Sequence, residues 1–336
     1  MVSVMIHHLA ARVCHILAAA FLTLSALPAV ATTIPGSSGT ALPEATELAT
    51  GITVRSIKDQ VRSLRDAQGV VLLGVSSMGQ SQALPLGGGV PPLGFGLQLR
   101  DLDTARLDGR LMTGNLLLAH SVNDRMTVFG GLLVERLGVD TAFNNGRIDS
   151  NGWGIALGAD YRVSDALYLT GIVGGMKLDY DVSRDGGAFS GNFTAQRQFV
   201  DLSGDYMIRA GGAELTFGAG LLYVRQHNAA YTESGGVAVA AFTSEQLSGT
   251  VSARSLWGQA EGLQPFVDAH AAFRLAGNTG LAGALDPGDD SNWTGRLGVG
   301  VLRSNASSGL EAGIGANFGD GGFQGIDLSL NYTYRF

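Results

Sequence analysis

The sequence predicts an all-β fold: a closed antiparallel transmembrane β-barrel of about 12 strands, preceded by a short N-terminal helix. Three observations predict it. Apolar and polar residues alternate with a period of two through the C-terminal two-thirds. The chain is apolar overall, with 45% hydrophobic and 15% charged residues and a mean hydropathy of +0.19. Yet past the N-terminus there is no unbroken apolar run of the ~20 residues that a membrane helix needs. Third, short turns and longer connections alternate along the chain, the asymmetry expected of a membrane barrel.

Composition excludes several classes. A soluble domain carries about 25% charged residues, well above the 15% here. A net charge of −7 with no Lys/Arg-rich run argues against nucleic-acid binding. The single cysteine, Cys14, lies near the N-terminus, in a segment read as removable. A mature chain without thiols suits an oxidising compartment.

Residues 1–31 read as a signal peptide for the Sec translocon. A weakly basic start ends at Arg12, an apolar stretch runs from Val13 to about Leu27, and Ala29 and Ala31 give the small-x-small pattern of a cleavage site. Residues 32–92 read as a short passenger and linker. Residues 32–43 are rich in Thr, Ser, Gly and Pro and read as extended. A helix is expected from about Glu44, amphipathic over about residues 52–68. There Val54, Ile57, Val61 and Leu64 recur at helical spacing among Arg55, Lys58, Asp59, Arg62, Arg65 and Asp66. Two environments fit it: a solvent-exposed surface, or the polar lumen of a barrel. Residues 85–92 read as a linker from their Gly and Pro content.

The barrel is expected over residues 93–336, with strands starting near Leu93, Asp108, Arg125, Asp149, Ala166, Asn192, Gly212, Val237, Leu263, Asp290, Ser307 and Gln324. The last strand is the clearest. Ile326, Leu328, Leu330, Tyr332, Tyr334 and Phe336 alternate with Asp327, Ser329, Asn331, Thr333 and Arg335, as when one face meets lipid and the other water. The same parity makes Asp201, Asp205, Arg209, Asp268, Arg274 and Arg296 the lumen-facing candidates for contact with the helix. Short connections are expected at 123–124, 164–165, 210–211 and 305–306, and longer loops at 138–148, 183–191, 228–236 and 276–289. An even strand count puts both barrel ends in the periplasm.

No pattern of residues points to catalysis. The Gly-x-Gly pairs do not open helices after strands, His120, His227 and His270 stand apart from one another without metal-ligand spacing, and no Gly-x-Ser-x-Gly elbow is present. No enzyme activity, cofactor or metal is expected.

Particular stretches carry a family resemblance. Leu215 to Arg225, followed by Tyr231-Thr232-Glu233-Ser234-Gly235, then Gln264-Pro265-Phe266-Val267-Asp268-Ala269, and the ending Leu330 to Phe336, resemble the autotransporter β-domain of type V secretion. The resemblance implies a translocator and surface anchor in the outer membrane of a Gram-negative bacterium, with a helix held in its pore. It also implies a monomeric barrel amid outer-membrane lipid and lipopolysaccharide, inserted by the barrel assembly machinery, for which Leu330, Tyr332, Tyr334 and Phe336 form the signal. Family passengers usually run to several hundred residues; here only about residues 32–70 precede the linker. A small-solute pore and an adhesin-like surface barrel are the alternatives.

Overall fold

The computed structural model describes residues 37–66, 92–210, 212–258, 262–278, 292–305 and 308–334. Helix α1 spans Ser37–Asp66. The strands are β1 (Leu93–Asp103), β2 (Asp108–Asn123), β3 (Met126–Thr141), β4 (Gly146–Arg162), β5 (Leu167–Arg184), β6 (Phe189–Ala210) and β7 (Ala213–Asn228), then β10 (Phe242–Trp257), β11 (Gly262–Asn278), β12 (Trp293–Ser304), β13 (Ser308–Gly319) and β14 (Gly322–Tyr334). A small hairpin of β8 (Tyr231–Thr232) and β9 (Ala238–Val239) lies in the connection from β7 to β10. The other twelve strands form one closed antiparallel barrel in sequence order, sealed where β1 pairs with β14 from Leu93↔Tyr334 to Arg100↔Asp327. Closure leaves no edge of unpaired backbone groups, which hydrocarbon would not tolerate. Strands start within three residues of the expected positions, except the eighth, expected at Val237 and found at Phe242.

The barrel has two zones. β1 begins and β14 finishes at one end, the proximal end. Near it, and through the barrel's middle, outward side chains are apolar: Leu132 and Val134 on β3, Ile155 and Leu157 on β4, Leu202 and Tyr206 on β6 are all exposed. Their inward neighbours are polar and buried, as with Asp160, Asp201, Asp205 and Arg254. That is the pattern of a lipid-facing wall around a polar lumen.

Toward the distal end the pattern inverts. A strand crosses hydrocarbon in about 9–11 residues, but β6 has 22 residues. Its distal outward face carries Ser190, Asn192, Thr194, Gln196 and Gln198, all exposed. Inward there lie buried Phe193, Ala195 and Phe199, in one apolar cluster with Leu137, Val139, Ile148, Leu178 and Val182 of β3–β5. This distal zone is built like a soluble protein, with a dry interior and a wet exterior.

The long strands explain one correction. Residues 138–148 and 183–191 were expected to be long loops. Instead β3 and β4 run on and turn through Ala142–Asn144, and β5 and β6 through Asp185–Gly187. The turns close tightly because Asn145 and Gly186 take left-handed backbone, at φ 48° and 67°. Polar residues there mark an extramembrane wall, so polarity alone misplaced the strand ends. The expected loops at 228–236 and 276–289 fall partly on the β8–β9 hairpin and partly outside the described residues.

Helix α1 runs down the lumen. It packs against β1, β2, β3, β4, β5, β7, β10 and β14. Its N-terminal half buries Ala41, Leu42, Ala45, Leu48, Ala49 and Ile52 in the distal apolar cluster. Residues 37–43, expected to be extended, are therefore helical, with Pro43 inside the helix. Burial of these small apolar side chains overrides the weak helix propensity of the Ser/Gly/Thr/Pro stretch. Residues 1–31, the greater part of the 85–92 linker, and Phe336 lie outside the described residues.

Candidate functional site

The site is the contact between α1 and the lumen wall. From Val54 onward the helix carries its charges on several faces, and each of three cations finds a wall carboxylate. Arg55 lies 3.7 Å from Asp327 and donates to Gln98 Oε1 at 3.3 Å. Lys58 lies 3.6 Å from Asp201. Arg62 donates to both oxygens of Asp205, at 2.8 and 3.1 Å. Nearer the distal end the signs reverse: Glu47 accepts from Arg274 at 2.9 Å and from Ser248 at 3.1 Å. Cation on carboxylate, repeated at three heights and reversed at a fourth, fixes both the rotation and the depth of the helix. The hydrogen-bonded pairs, Arg62–Asp205 and Arg274–Glu47, are each worth about 1.5–3 kcal/mol when shielded from water.

Uncharged contacts complete the fit. Thr46 donates to Gln226 at 3.0 Å. Asn115 donates to Ser56 at 2.8 Å and is hydrogen-bonded to Gln60. The inner face of β1 is bare at Gly94 and Gly96, where the helix passes closest. A Cβ on Gly94 would stand 2.6 Å from Gln60 Oε1, and one on Gly96 would stand 2.7 Å from Ser56 Oγ. Glycine there is a docking groove.

Behind the contact surface the wall holds its own carboxylates in place. Arg296 donates to Asp327 at 2.8 and 2.9 Å and also to Asp268. Asn317 donates to Asp327 at 2.9 Å. Arg254 pairs with Glu311 at 2.9 Å and stacks over Phe266 at 4.2 Å. Further out, Glu135 and Arg197, both essentially inaccessible to water, pair at 2.6 Å; Arg197 also donates to Gln226 at 2.9 Å.

The lumen is full. Two small spaces beside the helix measure about 30 and 60 Å³, room for a few water molecules.

The Tyr-Thr-Glu-Ser-Gly stretch packs on the distal ends of β5 and β6. Tyr231 stacks on Phe193 at 4.8 Å, and Phe193 on Tyr180 at 5.0 Å. Glu233 accepts from Arg184 at 2.7 Å. Ser234 accepts from the Ser190 backbone N–H at 3.0 Å. Gly235 lies against the Phe189 ring, where a Cβ would come within 2.6 Å. Each of these four residues clamps the β7–β10 connection to the distal ends of β5 and β6.

Of the lumen candidates, Asp201, Asp205 and Arg274 touch the helix directly. Asp268 and Arg296 act one step back, through Asp327. Arg209 keeps the inward parity but sits past the helix, pairing with Glu214 at 2.7 Å across the β6–β7 hairpin, with its side chain 54% exposed. Leu330, Tyr332 and Tyr334 are outward on β14, opposite Leu97, Phe95 and Leu93 at the closing seam; Phe336 falls outside the described residues. Sequence reading missed Gln98, Asn115, Gln226 and Glu135. Strand parity would have flagged them as inward polar residues, but not which of them the helix reaches.

The comparisons agree with this geometry. A family model described as the autotransporter beta-domain matches residues 94–333. No curated protein matches the chain. The translocator domain of the autotransporter NalP from Neisseria meningitidis is similar at a TM-score of 0.68 and 16% identity, covering 90% of this chain and 100% of that one. The beta domain of the Bordetella autotransporter BrkA gives 0.57 and 17%, covering 74% and 100%. The transport unit of AIDA-I from Escherichia coli gives 0.51 and 12%, covering 82% and 97%. At such identities these likenesses bear on the fold alone.

Proposed function

Because the chain belongs to the autotransporter β-domain family, we propose that it is an outer-membrane translocator and anchor in which α1 is the trailing part of the exported segment, retained as the plug of the pore. The observation that carries this reading is the match of Arg55, Lys58 and Arg62 to Asp327, Asp201 and Asp205. A helix passing a wall of random charge has no reason to set these three cations against three carboxylates.

Direction follows from topology. The helix enters the barrel distally at Ser37 and reaches the proximal end near Asp66. With both barrel ends in the periplasm, the distal zone lies outside the cell, and what precedes Ser37 is what the barrel displays. Residues 37–66, first read as part of a short passenger, belong to the plug.

The route there has three further parts. Residues 1–31 direct export through the Sec translocon and are removed. The last strand, with Leu330, Tyr332, Tyr334 and Phe336 on its outward face, is the segment the barrel assembly machinery recognises. The mature barrel is a monomer in a leaflet of lipopolysaccharide, and it catalyses no reaction.

The test uses epitopes on intact cells. A tag placed immediately before Ser37 is expected to be cut by external protease, and a tag in residues 67–91 only after the outer membrane is permeabilised. The reverse pattern overturns the assignment. In planar bilayers the intact chain is expected to conduct poorly and a chain lacking residues 37–66 to open a pore. Equal conductance of the two overturns the plug. Removing Phe336 is expected to lower the yield of heat-modifiable barrel in the outer membrane.

A further inference from the structure

The outward faces of the strands turn from apolar to polar at the distal edge of the lipid-facing belt, and the residues at that step are not a random polar set. The first polar outward side chain is Arg110 on β2, Arg136 on β3, Lys177 on β5 and Arg225 on β7, while β4 and β6 offer Asn151 and Gln198. No carboxylate occupies that step from β2 to β7; Asp108, Asp149 and Asp179 come one outward position further on.

Arg136 and Lys177 are both exposed, and among the described residues neither forms an ion pair. Arg110 lies 4.0 Å from Asp101 with its side chain 91% exposed, and Arg225 lies 3.3 Å from Glu245. Lys177 stands directly opposite Trp153, whose ring is among the most exposed in the barrel. Trp settles at the headgroup level of a membrane. Below these two cations the wall is apolar, with Leu132, Val134 and Val173 exposed. At the proximal edge, among the described strand residues, Arg303 alone projects a cation outward.

We propose that this arc binds the phosphorylated headgroup of a lipid of the outer leaflet, lipid A, with Arg136 and Lys177 as its core. The chemistry fits an amphiphile carrying phosphate. Guanidinium and ammonium groups bind phosphate oxygens, and two strand spacings, roughly 10 Å, separate β3 from β5. Acyl chains hanging from the same molecule lie along the apolar face immediately beneath. A free phosphate would have no use for that face, so the lipid is the source of the anion. The asymmetry between the two edges follows, since a phosphate-rich saccharolipid occupies one leaflet only. The inference rests on the outer-membrane placement.

The experiment uses the full chain, folded and purified in detergent, and counts bound lipid by native mass spectrometry. The probes are hexa-acylated bisphosphorylated lipid A, its monophosphorylated form, and phosphatidylglycerol. The intact barrel is expected to retain bisphosphorylated lipid A in preference to the other two. The double variant R136Q/K177Q is expected to bind it roughly tenfold more weakly, and R303Q, at the opposite edge, as well as the parent. Equal retention by the double variant, or equal binding of phosphatidylglycerol by the parent, overturns the arc. A chain that fractionates away from the outer membrane overturns the placement itself. A heat-modifiable outer-membrane barrel without lipid A preference overturns only the arc.

Discussion

β6 passes through two solvents, and its side chains change sides to match. In its proximal half Leu202, Tyr206 and Ile208 face out while Asp201 and Asp205 are buried inside; in its distal half Gln196 and Gln198 face out while Phe193 and Phe199 are buried inside. The backbone parity is unbroken, and the same alternation serves both halves. What differs is which set is apolar. The helix obeys the same division: its apolar N-terminal half lies in the dry distal interior, and its charged C-terminal half lies in the polar lumen. The difference teaches that a barrel wall has no intrinsic inside. The medium on each face decides which side chains it can carry.

The largest expected effect lies where the zones meet. Arg197→Met leaves Glu135 buried and unpaired, and the expected cost is about 3–5 kcal/mol. The midpoint of urea unfolding, followed by the heat-modifiable band, checks it. A change in that midpoint no larger than for a surface variant would mean that water reaches the pair.

The comparison is sharpest along β6 itself. Leu202→Arg, in the lipid-facing belt, is expected to cost about 2–4 kcal/mol. Gln196→Arg, three outward positions nearer the distal end, is expected to fall within about 0.5 kcal/mol of the parent. Folding into lipid vesicles at graded urea measures both. Similar costs at the two positions would erase the boundary between the zones.

Gly96→Val tests the docking groove. Its side chain would collide with Ser56 and Gln60, and the expected loss is about 1–3 kcal/mol. Single-channel recordings are expected to show more frequent openings as the helix is pushed off β1. A small effect is also expected at Arg147, which pairs with Asp140 and Asp149 on the exposed distal surface. Arg147→Gln is expected to cost less than about 1 kcal/mol. Beside Arg197, it separates an ion pair in water from one without it.

Much of the barrel was legible because a strand's side chains alternate with no freedom to drift. Once Tyr332 and Tyr334 are read as outward, Asp327, Asn331 and Thr333 must be inward. The ends of β3–β6 were not legible, because polar residues outside the membrane look like a loop whether or not they are paired in a sheet. Nor was the helix's start at Ser37, where Ser, Gly, Thr and Pro precede the Ala41, Leu42 and Ala45 that the apolar interior encloses. The helix–wall pairs were half legible. Parity supplied Asp201, Asp205 and Arg274, and the helical period supplied Arg55, Lys58 and Arg62.

The sequence by itself determined the period of two, the inward and outward sets, the closing strand and the charges on the helix, because all of these are local. The tertiary structure decided which carboxylate each cation meets, where the membrane ends along each strand, and that Asp327 rather than Asp268 faces Arg55. Those depend on distances across the barrel between residues more than a hundred positions apart. Only closure of the sheet around the helix sets such distances.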